Sequence, residues 1–318
     1  MTTKKNWQPS ASLQTLKQRS MLLKDIRNFF EQKDYMEVET PIMAQHGVTD
    51  VYLQNIKAQF RNQSYYLQTS PEFHMKRLLA AGSGPIFQLS KAFRDDELGK
   101  HHNPEFTMLE WYKLDVDHHG LMDEVDAFLQ QMLHSNPMQR ISYQDAFLQS
   151  CKLNPFQTSI EELRECLVLN HLDKTIPEGE TDEDQYLFLL MSQVVEPYLA
   201  KIESPIGLYD FPPSQAALAQ IKNGVGHRFE IYYRGMEIGN GFHELSDANQ
   251  QLIRFEKDNE LRLAKGLNLV ELDCYLISAL EHGLPSCSGI ALGIDRLLML
   301  MLNKPSISDV LAFDLSCA

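Results

Sequence analysis

Phe93-Arg94-Asp95-Asp96-Glu97-Leu98-Gly99-Lys100-His101-His102-Asn103-Pro104-Glu105-Phe106-Thr107-Met108-Leu109-Glu110-Trp111-Tyr112 reads as strand, charged loop, strand. Arg94 closes an apolar run over residues 86–93, and the loop holds most of the charge. Alternation resumes at Phe106. Thr107, Leu109 and Trp111 fall on one face, and Phe106, Met108, Glu110 and Tyr112 on the other. Carboxylates are rarely buried in sheets without a partner. A hairpin that sets Glu110 and Tyr112 on one face, with an arginine at its mouth, is therefore odd for a purely structural hairpin.

Toward the N-terminus, Ser10 or Ser12 can cap a helix reaching about residue 33, with Leu13, Leu16, Leu23, Ile26 and Phe30 at helical spacing. Residues 35–41 read as a short strand ended by Pro41, and residues 65–68 as another. Ser70-Pro71-Glu72 opens a helix through Leu79, with Pro71 suited to its first position. Toward the C-terminus, residues 134–205 are less regular. They carry a helical stretch over 182–199 and are read as a peripheral insertion, not a second domain. Residues 229–242 form a second charged hairpin turning at Arg234-Gly235. Ser246 and Asp247 can cap a helix to Lys265, stopped by Gly266. Ser288-Gly289-Ile290-Ala291-Leu292-Gly293-Ile294-Asp295-Arg296 is a glycine-broken strand entering an amphipathic helix. Antiparallel hairpins separated by long crossovers predict an α+β fold, an antiparallel sheet flanked by helices, in one domain over 1–318.

A chain of 318 residues, 43% hydrophobic and 23% charged, is ordinary for a globular protein with a sizeable core. The net charge of −14 speaks against gripping nucleic acid as a main task, because phosphate contacts need a basic face. Cys151, Cys166, Cys274, Cys287 and Cys317 are scattered and form no CxxC pair. They read as reduced cytoplasmic thiols, without a zinc site or a disulfide framework. Residues 1–12 are polar, so no signal peptide is expected, and no apolar run approaches the roughly 18 residues of a membrane span.

Neither GxxxxGK[ST] nor a GxGxxG after a strand occurs, so any phosphate must be held by other means. Arg94 is one candidate. Arg296 is another, in the first turn of the last helix, where the dipole adds positive potential. Taken alone, an arginine in either place is more often a surface ion pair. Glu230 and Glu237 flank the Arg234-Gly235 turn, and antiparallel pairing is expected to bring them close on one face. Facing carboxylates need a cation between them, and Mg²⁺ bridging ATP phosphates suits oxygen ligands. Two solvated edge glutamates are the plainer alternative. In Gly239-Asn240-Gly241-Phe242-His243-Glu244 the glycines permit close backbone approach to a ligand. Glu244 can pair with a cationic amine while Phe242 packs on its stem; a glycine-rich turn with a capping Glu is the alternative.

Together these pieces resemble the three motifs of class II aminoacyl-tRNA synthetases over nearly the whole chain. Residues 25–41 look like motif 1, the Arg94 hairpin like motif 2, and residues 289–296 like motif 3. Thr69-Ser70-Pro71-Glu72, His102-Asn103-Pro104-Glu105-Phe106 and the Gly239 to Glu244 stretch resemble the lysyl subgroup. Two departures sharpen the resemblance. Only residues 1–24 precede motif 1, too few for the five-stranded anticodon-binding barrel of lysyl-tRNA synthetases. Ala291 stands where motif 3 usually has its middle glycine, and a methyl-scale change at a pocket floor is worth about 1–3 kcal/mol of discrimination. Both features look like the elongation factor P–(R)-β-lysine ligases, truncated lysyl-tRNA synthetase paralogues. Asp96, followed by Glu97, stands at the family's glutamate place in motif 2.

The resemblance implies a cytoplasmic homodimer that uses ATP and Mg²⁺ to activate (R)-β-lysine as an adenylate. It then transfers the β-lysyl group to a lysine of elongation factor P, with neither tRNA nor a membrane as partner. It implies Arg94 and Arg296 as catalytic phosphate binders, and Asp95, Asp96, Asn103, Glu237, Ile238 and Gly293 around the nucleotide. It implies Ser70, Pro71, Glu72, Glu110, Tyr112, Asn240, Phe242, Glu244 and Ala291 around the amino acid, and Glu230 with Glu237 as Mg²⁺ ligands. A minimal lysyl-tRNA synthetase core and an inactive regulatory paralogue are the alternatives.

Overall fold

The computed structural model describes residues 7–95 and 98–318. The chain divides into two compact units, Met1–Asp115 with Leu245–Ala318, and Val116–Glu244. Helices and mixed sheets make the fold α+β, as the hairpin pattern predicts.

In the first unit the helix Leu13–Glu31 begins at Ser12, whose hydroxyl accepts the Thr15 amide at 3.1 Å. Its buried stripe includes Leu22, Ile26 and Phe30. Phe30 stacks on Phe87 at 4.6 Å between ring centroids and meets the edge of Trp111 at 5.3 Å. The strands run in the order Met36–Glu37, Ile86–Phe93, Glu105–Leu114, Cys287–Gly293; the first pair is parallel and the other two antiparallel. A small second sheet orders Met43–Ala44, Gln63–Leu67 and Lys57–Phe60. The strand expected over 35–41 shrinks to Met36–Glu37. Pro71 occupies the N-cap position of the helix Glu72–Ala80, one place earlier than expected.

Two distant segments of this unit close on Asp295, which is 1% exposed. Arg19 donates to Asp295 Oδ1 at 2.6 Å and to Thr107 Oγ1 at 2.7 Å, while the Thr107 amide donates to Asp295 Oδ2 at 2.7 Å. The network pins the first helix, the Glu105–Leu114 strand and the last helix together. Asp295→Asn removes the charge and turns an amide donor toward an arginine or an N–H. We expect it to lower stability by about 3 kcal/mol in urea unfolding, the scale of breaking a buried pair. An unchanged midpoint and slope would show that the network contributes nothing.

In the second unit the strand order is Met236–His243, Val225–Tyr233, Ile206–Phe211, Gln139–Ser142, with Ile221–Lys222 also on Val225–Tyr233. Its last pair is parallel. The Arg234-Gly235 turn has φ of 50° and 75°, the paired left-handed geometry of a two-residue hairpin turn. The helical stretch expected over 182–199 is Glu183–Leu190, a π turn Met191–Val195, and Glu196–Leu199. Pro197 has no amide to continue the ladder, and the Glu196 amide reaches back five residues to the Met191 carbonyl. Segment 134–205 packs Tyr143, Phe147, Leu167 and Leu190 against Leu208, Phe211 and Tyr232.

Candidate active site

The first hairpin pairs Gln88 with Glu110, Ser90 with Met108 and Ile86 with Tyr112. On its other edge Ala291 pairs with Glu110, Gly289 with Tyr112 and Gly293 with Met108. Directly paired residues share a face, so Glu110 lies between Gln88 and Ala291. The Tyr112 hydroxyl donates to Glu110 Oε1 at 2.6 Å, which confirms the alternation read from the sequence. The opposite face carries Trp111 and Thr107 toward the first helix.

This face is unusually polar for its burial. Glu110 and Gln88 are each 2% exposed. Gln88 Oε1, Ser90 Oγ and Arg94 Nε are buried and have no hydrogen-bond partner among the described residues. Nearly all buried polar atoms in native proteins are paired, so three along this one segment, at positions 88, 90 and 94, mark a surface built for a polar ligand. Arg94 lies over the Phe106 ring at 5.2 Å, and its amide donates to the Pro104 carbonyl at 3.0 Å. The ring contact orients the guanidinium without using a donor.

Arg296 stands in the first turn of the helix Ile294–Leu302, whose N-cap Gly293 provides no side-chain cap. It meets His102 Nε2 at 2.5 Å and the His101 carbonyl at 3.4 Å. A Cβ on Gly293 would meet only Arg296 side-chain carbons, at ordinary contact distance, and its φ is −76°. The fold itself does not demand glycine there. Glu72 is paired with Lys76 at 2.5 Å, and Lys76 is buried; Ser70 Oγ accepts the Glu72 amide at 3.3 Å. Asn103 Nδ2 donates to the Glu105 carbonyl at 2.7 Å, and its Oδ1 accepts the Leu315 amide at 3.1 Å, so both ends of this amide already brace the loop. Asp95 is exposed, and Asp96 lies outside the described residues.

The second unit carries the other group. Here the register corrects an expectation: Glu230 pairs with Asn240, and Glu237 pairs with Tyr232. The pairing skips Ile238 at an irregularity, so the two glutamates share a face diagonally and do not stand opposite each other. Arg228 binds Glu230 Oε1, donates to Asn240 Oδ1 at 3.1 Å and to the Gln215 carbonyl at 2.7 Å, and packs on Phe211. Tyr232 donates to Glu230 Oε2 at 2.6 Å. Burial, then the charges of Glu230 and Glu237, hold the Tyr232 phenol well above its usual range. Phe242 is half-buried, Ile238 is buried, and Glu244 is 2% exposed. The Glu244 carbonyl accepts Gln220 Nε2 at 3.0 Å.

Sequence reasoning missed Gln88, Ser90, Lys76 and Arg228. Gln88 and Ser90 could have been found by carrying the Glu110 face across the register; Arg228 lies two residues before Glu230 and so on its face. It also missed a cluster of His118, His119, His227 and His243 in the second unit. Burial lowers the pKa of His119, His227 and His243 below the usual histidine value, with His118 beside them acting in the same direction.

Comparison with known proteins bears on the whole chain. Residues 6–316 match the family of class II tRNA synthetases (D, K and N). A Vibrio cholerae protein named elongation factor P–(R)-β-lysine ligase is 50% identical over 98% of this chain and 98% of its own length. Proteins of the same name from Photobacterium profundum and Salmonella typhi are 49% and 48% identical, again over 98% of this chain and 99% and 98% of theirs.

Proposed function

The chain belongs to the class II tRNA synthetases of the D, K and N type, and from that premise we propose that it ligates (R)-β-lysine to elongation factor P at the cost of ATP. The observation that carries this reading is the row Gln88, Ser90, Arg94 beside Glu110 and Tyr112. It is a buried polar face with acceptors and a cation left for a ligand that is itself charged and polar.

In the first step a β-lysine carboxylate oxygen attacks the α-phosphorus of ATP, and pyrophosphate leaves. In the second, the deprotonated ε-amine of an elongation factor P lysine attacks the activated carbonyl, an amide forms, and AMP leaves. The attacking carboxylate is already ionised at neutral pH, so the first step needs no general base, only position and charge stabilisation. Arg94 holds the α-phosphate and Arg296 the γ-phosphate, where the uncapped amides of its helix add positive potential. Asp95, Asp96, Asn103, Ile238 and Gly293 are the residues assigned to the nucleotide, and only Arg296 side-chain carbons stand at contact distance where a Cβ on Gly293 would be. Ser70, Pro71, Glu72, Glu110, Tyr112, Asn240, Phe242, Glu244 and Ala291 line β-lysine. Mg²⁺ supplies charge for the phosphates. Glu230, bonded to Arg228 and Tyr232, and Glu237, on the same face, are the carboxylates that would hold it. The protein works in the cytoplasm as a homodimer without tRNA. Met21, Met36, Ile42 and Met43, all exposed in and beside the motif 1 segment, support the dimer.

ATP–pyrophosphate exchange with (R)-β-lysine and L-α-lysine side by side, followed by transfer to elongation factor P, tests the reading. Exchange preferring the β-isomer, with product on the factor, is expected. A preference for α-lysine with charging of tRNA would replace it with a synthetase. Exchange with neither would leave an inactive paralogue. Ala291 sets its methyl beside Glu110, so Ala291→Gly is expected to move the ratio of kcat/KM values toward α-lysine by about tenfold. An unchanged ratio removes Ala291 from the specificity argument.

A further inference from the structure

We propose that His118, His227 and His243 form a binding site for a borderline divalent metal ion, Zn²⁺ by its ligand chemistry, oriented by Asp210. Its ligands are none of the residues assigned to ATP and β-lysine, although His243 stands between Phe242 and Glu244, and its argument does not rest on the function proposed above. His118 begins the helix His118–Leu133, His227 lies on the strand Val225–Tyr233, and His243 ends the strand Met236–His243. The last two stand one step beyond the ladder pair Arg228 and Phe242. One ring nitrogen from each lies within 4.8 Å of the others. His227 Nδ1 and His243 Nδ1 are 3.5 Å apart. Three nitrogens around one tetrahedral ion at Zn–N distances of about 2.0–2.1 Å stand roughly 3.4 Å apart, so the set closes with modest ring movement.

His118 supplies the second, independent observation. It is 2% exposed, and its Nε2 meets Asp210 Oδ1 at 3.0 Å. That bond places the ring proton on Nε2 and a lone pair on Nδ1. Nδ1 is buried and has no hydrogen-bond partner among the described residues. A carboxylate bonded to one ring nitrogen of a histidine whose other nitrogen stays unpartnered is the orienting arrangement of metal-bound histidines. Neutral imidazoles without thiolates favour Zn²⁺, Cu²⁺ or Ni²⁺ over Mg²⁺ or Ca²⁺. His118 also groups with His119 and Asp210. That set would use the Asp210 carboxylate as ligand and lose the orienting bond, so the His227–His243 set is the better one. An ion there would tie the start of a helix to both strands of the hairpin bearing Glu237, Asn240 and Glu244.

The test is Zn²⁺ titration by calorimetry, and Co²⁺ titration read by the visible absorption of tetrahedral Co²⁺, on the full chain. One ion per chain is expected, with a melting temperature that rises with metal concentration. Loss of one of three ligands in His227→Gln is expected to weaken Zn²⁺ at least 100-fold. Asp210→Asn is expected to weaken it about 10–100-fold, the usual range for orienting partners. Asp210 has φ of 60°, which asparagine also adopts readily, so this second variant keeps the backbone. The proposal fails if no ion binds, leaving a stack of neutral imidazoles that share a proton. It fails equally if neither variant weakens binding, if only His119→Gln does, or if Co²⁺ shows thiolate charge transfer from exposed Cys274 or Cys317.

Discussion

Arg94→Ala is expected to lower kcat for β-lysine-dependent ATP–pyrophosphate exchange by about 10³-fold while leaving the fold intact. The magnitude follows from the role proposed for the guanidinium: removing a group that faces charge developing at the α-phosphorus costs about 10²–10³, or more for arginines on transferring phosphoryl groups. The small structural effect follows from its contacts. Among the described residues Arg94 lies over the ring of Phe106 and makes a backbone bond to Pro104, and the backbone bond survives the substitution. Removing the side chain also removes a buried donor, Nε, that has no partner among the described residues. The melting temperature should therefore stay level or rise. Arg94→Lys keeps the charge but loses the planar fork and the stacking on Phe106, so it should recover only part of the rate. Exchange within tenfold of the parent in Arg94→Ala would remove the residue from the phosphate role.

Much of this architecture was legible because it depends on local rules. Ser12 and Asp247 cap the helices expected of them, Gly266 follows the helix Ala248–Ala264 with φ of 72°, and Arg234-Gly235 makes the tight turn. Strict alternation placed Glu110 with Tyr112, and their hydrogen bond follows from it. The misses have other causes. Glu230 and Glu237 share a face as expected, but counting outward from the turn gives Tyr232 with Glu237 and would set Glu230 against Gly239; the extra residue Ile238 moves its partner to Asn240. Nothing in the hydrophobic pattern announces such a slip. Arg228 and Lys76 were passed over although each is held by a carboxylate at local spacing, Glu230 two residues along the same strand and Glu72 one helical turn back. The buried residues of segment 134–205 were illegible because their partners, Leu208, Phe211 and Tyr232, are remote in sequence.

Glu244→Gln is the second large effect, and it separates recognition from chemistry. Glu244 is buried to 2% exposure at the end of Gly239-Asn240-Gly241-Phe242-His243, and its carbonyl, not its side chain, accepts the bond from Gln220. The substitution therefore keeps the backbone contact and the side-chain shape while deleting one negative charge. If that charge receives the side-chain ammonium of β-lysine, its loss leaves a cation without its partner in a desolvated place, a penalty of about 2–5 kcal/mol. The KM for (R)-β-lysine should rise about 100-fold or more, and the KM for ATP should change little. A shorter substrate lacking the terminal amine discriminates further: it should be used equally poorly by the parent and by Glu244→Gln. Should the variant instead lose affinity for ATP and β-lysine alike, Glu244 would belong with the nucleotide and its metal, and Glu110, also 2% exposed, would be the carboxylate to test next for the ammonium.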